Sequence, residues 1–275
     1  MESLIVDKLL QNIKERPTLV HCITNYVTAN DVANVILAIG ASPIMAEDIH
    51  EVEEITEHCT SLVLNMGTLN KNKLEAMILA GKRANVLGHP VILDPVGAGA
   101  SKFRREAVQR LLKEVKFSVI RGNVSEIKTV CEGTGTALGV DVSQVDATDE
   151  KNIDDLIHIG RKLSKETNAV IVVTGAVDLV VNKDKAVVIY NGTPEMARIT
   201  GTGCMMDGIL GSFAGANQEY VFEAAVTSVI TMGVSGEYAQ KKSKGTSSFR
   251  MNLIDEISNI TSKKIERGKK IESKF

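Results

Sequence analysis

What most restricts the fold is an alternation. For most of its 275 residues the chain switches between short aliphatic, β-branched runs and longer helix-spaced segments. Runs at 18–23, 43–46, 61–64, 91–93, 117–120 and 169–173 read as strands. Two more, 179–182 and 186–190, read as a hairpin turned by Lys183-Asp184-Lys185. Helices are expected at 1–16, 31–39, 51–59, 71–87, 103–116, 125–131, 149–166, 221–241 and 252–267, and another from the turn at 201–204. Asn30 is a plausible cap for the second of these, with Gly40 and Gly88 as stops, and 132–147 reads as a glycine-rich polar loop. Strands that alternate with helices imply an α/β protein with a mainly parallel sheet covered on both faces. No repeat and no composition shift marks a boundary, so one domain over 1–275 is expected.

Sheets of this kind bind ligands outside the carboxyl ends of their strands. Asn25, Met45, Asn65, Asp94, Arg121, Asn123 and Thr174 all fall at or just past a strand end. Any one of them could be a local cap or turn former. Together they describe a polar rim.

The run Gly201-Thr202-Gly203-Cys204 opens an apolar, helix-spaced stretch on the same side, if the topology is conventional. Glycine lets a ligand approach the main chain closely. A helix N-terminus offers unpaired N–H groups and roughly half a positive charge, which suits a phosphate. It is not a P-loop, since no Gly-Lys-Ser/Thr follows, and Met206 stands where a dinucleotide fingerprint needs its third glycine. The bland alternative is a glycine-rich helix start with a buried, inert cysteine. The small face of Gly208, Gly211, Ser212 and Gly215 allows close helix packing. Asp207 suits the helix dipole but would repel a phosphate if it faced the site.

Asp94 and Glu126 are acids that could hold a hard cation. Glu126 also lies three residues after Asn123, the spacing of a capping box. Arg121 at a strand end is placed to neutralise phosphate oxygens. An anion turn, a basic residue, two acids and a reactive side chain form a set suited to phosphoryl transfer, where positioning and charge neutralisation do most of the catalysis. His21 reads as a satisfied core histidine, and the other four histidines share no ligand spacing, so zinc is not expected.

Charge sets limits on partners. With 32 basic and 34 acidic residues the net charge is -2, no block of one sign occurs, and Trp is absent. Neither nucleic acid nor a membrane is an expected partner. Residues 1–16 lack the apolar core of a signal peptide, and Cys22, Cys59, Cys131 and Cys204 are scattered, which fits reduced thiols in a cytoplasmic protein.

Several blocks, in order, strongly resemble the hydroxyethylthiazole kinase family. They are Thr24-Asn25-Tyr26-Val27-Thr28-Ala29-Asn30-Asp31, Ser42-Pro43-Ile44-Met45-Ala46, Asp94-Pro95-Val96-Gly97-Ala98-Gly99, Arg121-Gly122-Asn123-Val124-Ser125-Glu126, Val173-Thr174-Gly175 and Gly201-Thr202-Gly203-Cys204. The resemblance implies a ribokinase-like fold, ATP and Mg²⁺, and phosphorylation of 4-methyl-5-(2-hydroxyethyl)thiazole. It implies that Met45 and Gly201 bind the thiazole, that Arg121 and Thr174 bind ATP, and that Asp94 and Glu126 lie on the metal and phosphate side. Asn25 joins the substrate side, and Gly203 and Asn123 the nucleotide side, from their places on the rim. Cys204 stands where many ribokinase-like kinases place an aspartate base. The resemblance further implies a homotrimer with sites at subunit boundaries. Two alternatives share the fold: a hydroxymethylpyrimidine (phosphate) kinase, and a nucleotide-dependent NAD(P)H-hydrate dehydratase, which carries aspartate in place of Cys204.

Overall fold

A computed structural model describes residues 3–133 and 152–274. The first half runs α1 (Ser3–Glu15), β1 (Leu19–Ile23), α2 (Ala29–Ile39), β2 (Ser42–Ile44), α3 (Val52–His58), β3 (Ser61–Asn65), α4 (Lys71–Leu87), β4 (Val91–Asp94) and α5 (Lys102–Glu114). Then come β5 (Val119–Asn123), α6 (Val124–Gly133), α7 (Ile153–Thr167), β6 (Val170–Thr174), β7 (Asp178–Val181) and β8 (Ala186–Ile189). The chain ends with α8 (Thr202–Ala216), α9 (Val221–Lys242), α10 (Thr246–Ser258), α11 (Ser262–Gly268) and β9 (Ile271–Lys274).

The nine strands of the described residues form one sheet in the order β2-β1-β3-β4-β5-β6-β7-β8-β9. Strands β1 to β6 pair in parallel, and β7, β8 and β9 add on antiparallel. Side chains alternate across a strand, so each central strand must feed two cores. On β3, Val63 packs with residues of α1, α2, α8, α9, α10 and α11, whereas Leu62 and Leu64 pack with those of α3 to α7. Three layers result. The buried His21 is satisfied as expected, with Nδ1 2.9 Å from Thr56 Oγ1 and Nε2 2.8 Å from the Ala46 carbonyl oxygen.

The structure departs from the sequence reading in three places. Thr28, not Asn30, is the N-cap of α2, and no side chain caps it. The helix expected at 252–267 is two, because Asn259 ends α10 and the Thr261 hydroxyl starts α11 by accepting from Lys264 N. Strand β9 was not anticipated. Its sequence, Ile-Glu-Ser-Lys, is a polar edge whose pairing is fixed only by its neighbour β8. Apart from the end of α6, the expected loop at 132–147 lies outside the described residues, as does the start of the helix expected from 149.

The small face of α8 seats that helix on the sheet. A Cβ on Gly211 would stand 2.7 Å from Val63 Cγ2 and 2.8 Å from Val20 Cγ1, closer than atoms can pack. The N-terminus of α8 is thereby brought down beside the carboxyl ends of β1, β3 and β4. No helix among the described residues is long and apolar enough to cross a membrane.

Candidate functional site

The parallel register fixes which side chains meet. Asn65 and Asp94 are the last residues of β3 and β4 and lie opposite one another, as do Asn123 and Thr174 on β5 and β6. Asn25 follows β1, and Arg121 lies in the middle of β5, not past its end as the sequence suggests, because the strand runs on to Asn123. Across from them, Gly201 takes a left-handed φ of 89° and turns the chain into α8. A side chain there would be strained, and its Cβ would meet Thr28 Cγ2 at 2.5 Å. A Cβ on Gly203 would stand 2.5 Å from Arg121 Nη2, so the guanidinium lies against bare main chain.

Asn25, Asp94, Arg121, Asn123, Glu126, Thr174, Gly201, Gly203 and Cys204 line one cavity of about 400 Å³. Met45 does not line it and is 39% exposed. A second cavity of about 740 Å³ shares Arg121, Asn123, Thr174 and Gly203 with the first and extends past Asp178 and Gly192. Arg121 thus stands where the two meet.

At the centre is Asn65, fully buried. Its Nδ2 donates toward Asp94 Oδ2 at 2.7 Å, Asp207 Oδ2 at 3.1 Å and Cys204 Sγ at 3.4 Å. Its Oδ1 accepts from Asn25 Nδ2 at 3.0 Å and from Gly67 N at 2.9 Å. Asn25 Nδ2 also reaches Cys204 Sγ at 3.2 Å. The half-buried thiol therefore faces two amide donors and borders the cavity instead of being sealed in the core. Sequence reasoning placed Asn65 on the rim without giving it a part. It also missed the neighbours of Asp207, because a residue one turn past Cys204 on an apolar helix carries no signal of what it will face.

Two carboxyls and one guanidinium are buried together. Arg121 Nη1 donates to Asp94 Oδ2 at 3.0 Å and lies 3.8 Å from Asp207 Oδ1. Its Nη2 donates to Thr174 Oγ1 at 3.2 Å. Burial works against the Arg121 charge, but the flanking Asp94 and Asp207 outweigh it and hold the group above the usual arginine range. Burial, and next the Asp94 charge, push Asp207 well above the usual carboxylate range against the pull of Arg121, which favours its neutral form. Asp207 thus turns inward and does not face the cavity as a bare anion. Asp94, Cys204 and Asp207 present ligand atoms within 4.8 Å of one another, the one such cluster found among the described residues, but the two protons of Asn65 Nδ2 already face all three.

Glu126 is not part of that cluster. Its Oε2 accepts from Asn123 N at 2.8 Å while Asn123 Oδ1 accepts from Glu126 N at 2.9 Å, the reciprocal capping box read from the spacing. Its Oε1 accepts from Gly97 N at 3.0 Å. Burial raises its pKa above the ordinary value despite those donors. The second cavity holds another shifted acid: burial pushes Asp178 up to about 7, against the Gly175 N–H it accepts and the Arg121 charge.

The model of the hydroxyethylthiazole kinase family matches residues 10–263 of this chain. A hydroxyethylthiazole kinase of Clostridium acetobutylicum is 50% identical over 267 residues, covering 96% of this chain and 98% of that protein. The solved structure of a hydroxyethylthiazole kinase protein from Pyrococcus horikoshii superposes with a TM-score of 0.89 at 32% identity, covering 99% of this chain and all (100%) of that one. A ribokinase-like superfamily protein from Enterococcus faecalis, 11% identical, superposes with a TM-score of 0.65 over 94% of this chain and 95% of its own, a likeness of fold alone. The three layers are those of the ribokinase-like fold.

The shift at Asp178 has a sign that can be tested. An acid whose folded pKa is raised binds more protons folded than unfolded between its ordinary value and about 7. Its contribution to stability is present at low pH and is lost as pH rises through that window. Asp178→Asn removes the contribution. In urea titrations from pH 4 to pH 8, the variant's stability should fall less steeply with pH than that of the parent, and the difference should level off above about pH 7.

Proposed function

Because the chain belongs to the hydroxyethylthiazole kinase family, we propose that it transfers the γ-phosphoryl group of ATP to the hydroxyl of 4-methyl-5-(2-hydroxyethyl)thiazole, a step of thiamine salvage. The reading rests most heavily on one observation: an arginine and the N-terminus of α8 stand where the two cavities join, with the Cys204 thiol bordering the smaller one beside them. The larger cavity takes the nucleotide and the smaller the alcohol. Transfer is in line. The bond from the alcohol oxygen to phosphorus forms as the bond to the β-phosphate oxygen breaks, ADP leaves, and the hydroxyl proton passes late to a phosphoryl oxygen and on to solvent.

Each part of the rim then has a task. The main-chain amides of 201–204 receive the transferring group at the positive end of α8. Arg121, with Thr174 beside it, offsets charge on the nucleotide phosphates, and Asn123 and Gly203 wall the same side. Asn25, Gly201 and Met45 serve the alcohol side. Cys204 orients the hydroxyl. A primary alcohol is a very weak acid and a loose transition state needs little early deprotonation, so orientation outweighs proton abstraction.

Asp94 Oδ1 is buried with no hydrogen-bond partner, and hard oxygen donors suit a divalent cation that keeps several waters. Asp94, with Glu126 behind it, would hold Mg²⁺, whose charge would help neutralise the phosphates. The chain works as one domain in the cytoplasm. It associates as a trimer with the alcohol side at the boundary between copies. Tyr26 and Val27, 65% and 67% exposed beside Asn25, together with Met45, support that surface. Light scattering on purified protein should return the mass of three chains, and the mass of one chain at micromolar concentration contradicts the trimer.

The activity is tested by incubating the protein with ATP, Mg²⁺ and either hydroxyethylthiazole, a hydroxymethylpyrimidine or a hydrated nicotinamide nucleotide, and following ADP and product mass. Phosphorylated thiazole with little turnover of the others is the expected result. Preferential phosphorylation of the pyrimidine, or dehydration of the nucleotide, contradicts it. In the same assay Cys204→Ser should keep turnover within about tenfold of the parent. A loss of about 10²–10⁴ with intact substrate binding is the size expected for removal of a true base.

A further inference from the structure

Lys73 is a cation in an unfavourable place. Its side chain is 1% exposed, and taking an ammonium out of water is unfavourable unless its protons find acceptors. It also lies in the first turn of α4, where the helix dipole disfavours positive charge. Helix stability does not explain it. Its partners do.

The Nζ donates to the Thr24 carbonyl oxygen at 2.7 Å and to Thr68 Oγ1 at 3.4 Å, and pairs with Glu47 Oε2 at 2.8 Å. It also stands 4.2 Å from the centroid of the Tyr26 ring, within cation–π range. All three ammonium protons have acceptors, and these come from three separate loops, after β1, β2 and β3. The same residues bond one another: Tyr26 N donates to Thr68 Oγ1 at 3.3 Å, and Tyr26 Oη to Glu47 Oε1 at 3.2 Å. Thr24 adjoins Asn25, which donates to Cys204 Sγ, and Thr68 itself lines the smaller cavity. None of these partners lines the larger cavity.

We propose that Lys73 is a positioning residue for the alcohol side alone, a buried clamp that draws the loops after β1, β2 and β3 together and sets the distance from the alcohol's rim to Cys204. The inference deepens the kinase reading and rests on it. Without the ammonium, three acceptors and an aromatic face lose their common partner, and the rim loosens while the Arg121 side stays as it is.

Steady-state kinetics on the full chain, varying each substrate in turn, read this directly. Lys73→Met should raise KM for hydroxyethylthiazole about tenfold while KM for ATP stays within about twofold, and Lys73→Arg should recover part of the loss. Glu47→Gln and Tyr26→Leu, at partners nearer solvent, should shift the same KM in the same direction by smaller factors. Lys82→Met, which removes an exposed ion pair on the same helix, should shift neither. An unchanged thiazole KM in folded Lys73→Met, or equal rises for both substrates, overturns the clamp. If Lys73→Met does not fold, Glu47→Gln and Tyr26→Leu decide, and an unchanged thiazole KM in both overturns it. A parent protein that phosphorylates no thiazole overturns the kinase reading itself, a result distinct from an active parent with insensitive variants.

Discussion

One amide holds the site together. The Asn65 side chain has two protons to give and two lone pairs to fill, and the structure uses all of them. Its oxygen faces Asn25 and Gly67 N, so its nitrogen must face Asp94, Asp207 and Cys204. The reverse orientation would set an amide nitrogen against the Gly67 N–H, donor against donor, and an amide oxygen against Asp94 Oδ2. A buried amide left without partners costs about 1–3 kcal/mol, so the arrangement has one stable form. Through it the ends of β1, β3 and β4 are tied to α8, and the thiol is fixed relative to the arginine that guards the second cavity.

The rest of the molecule makes that amide's position possible. A parallel register puts Asn65 beside Asp94 with no adjustment. Two packed layers keep the sheet dry on both faces, leaving the strand ends as the place where polar groups gather. The glycines of α8 let that helix settle against Val20 and Val63, which lowers its N-terminus to the level of the rim. The balance of charge follows from this closeness. Asp94 and Asp207 are too near to be two bare anions in a buried space, and the structure answers with Arg121 on one side and a raised pKa for Asp207 on the other.

Local chemistry was legible, and long-range contact was not. Helix α4 could be read to the residue at 71–87, with Gly88 ending it in a left-handed turn, while its cap, Asn70, was found only in the structure. The capping box of Asn123 and Glu126 followed from spacing alone. The rim itself was legible from strand ends, and all but one of the residues assigned roles on it line a common cavity; Met45 stands outside. Strand β9 was hidden because Ile271–Lys274 has no apolar face to betray it, and the break at Asn259 because the residues on either side remain helix-like. Lys73 reads as an ordinary solvated helix residue until three loops close over it. Asp207 reads as a dipole complement until β3 and β5 bring Asn65 and Arg121 to meet it.

The most direct test of this account is the turnover of Asn65→Asp. The swap keeps the shape, removes both donors and adds a carboxyl within about 3 Å of Asp94, where repulsion between two charges at an effective dielectric of 20 is on the order of 5 kcal/mol. The account predicts a folded protein whose turnover of thiazole and ATP falls at least about a hundredfold, since Cys204, Asp94 and Arg121 lose their common support. Turnover within a few-fold of the parent would show that the thiol and the arginine hold their places without that amide, and would contradict it.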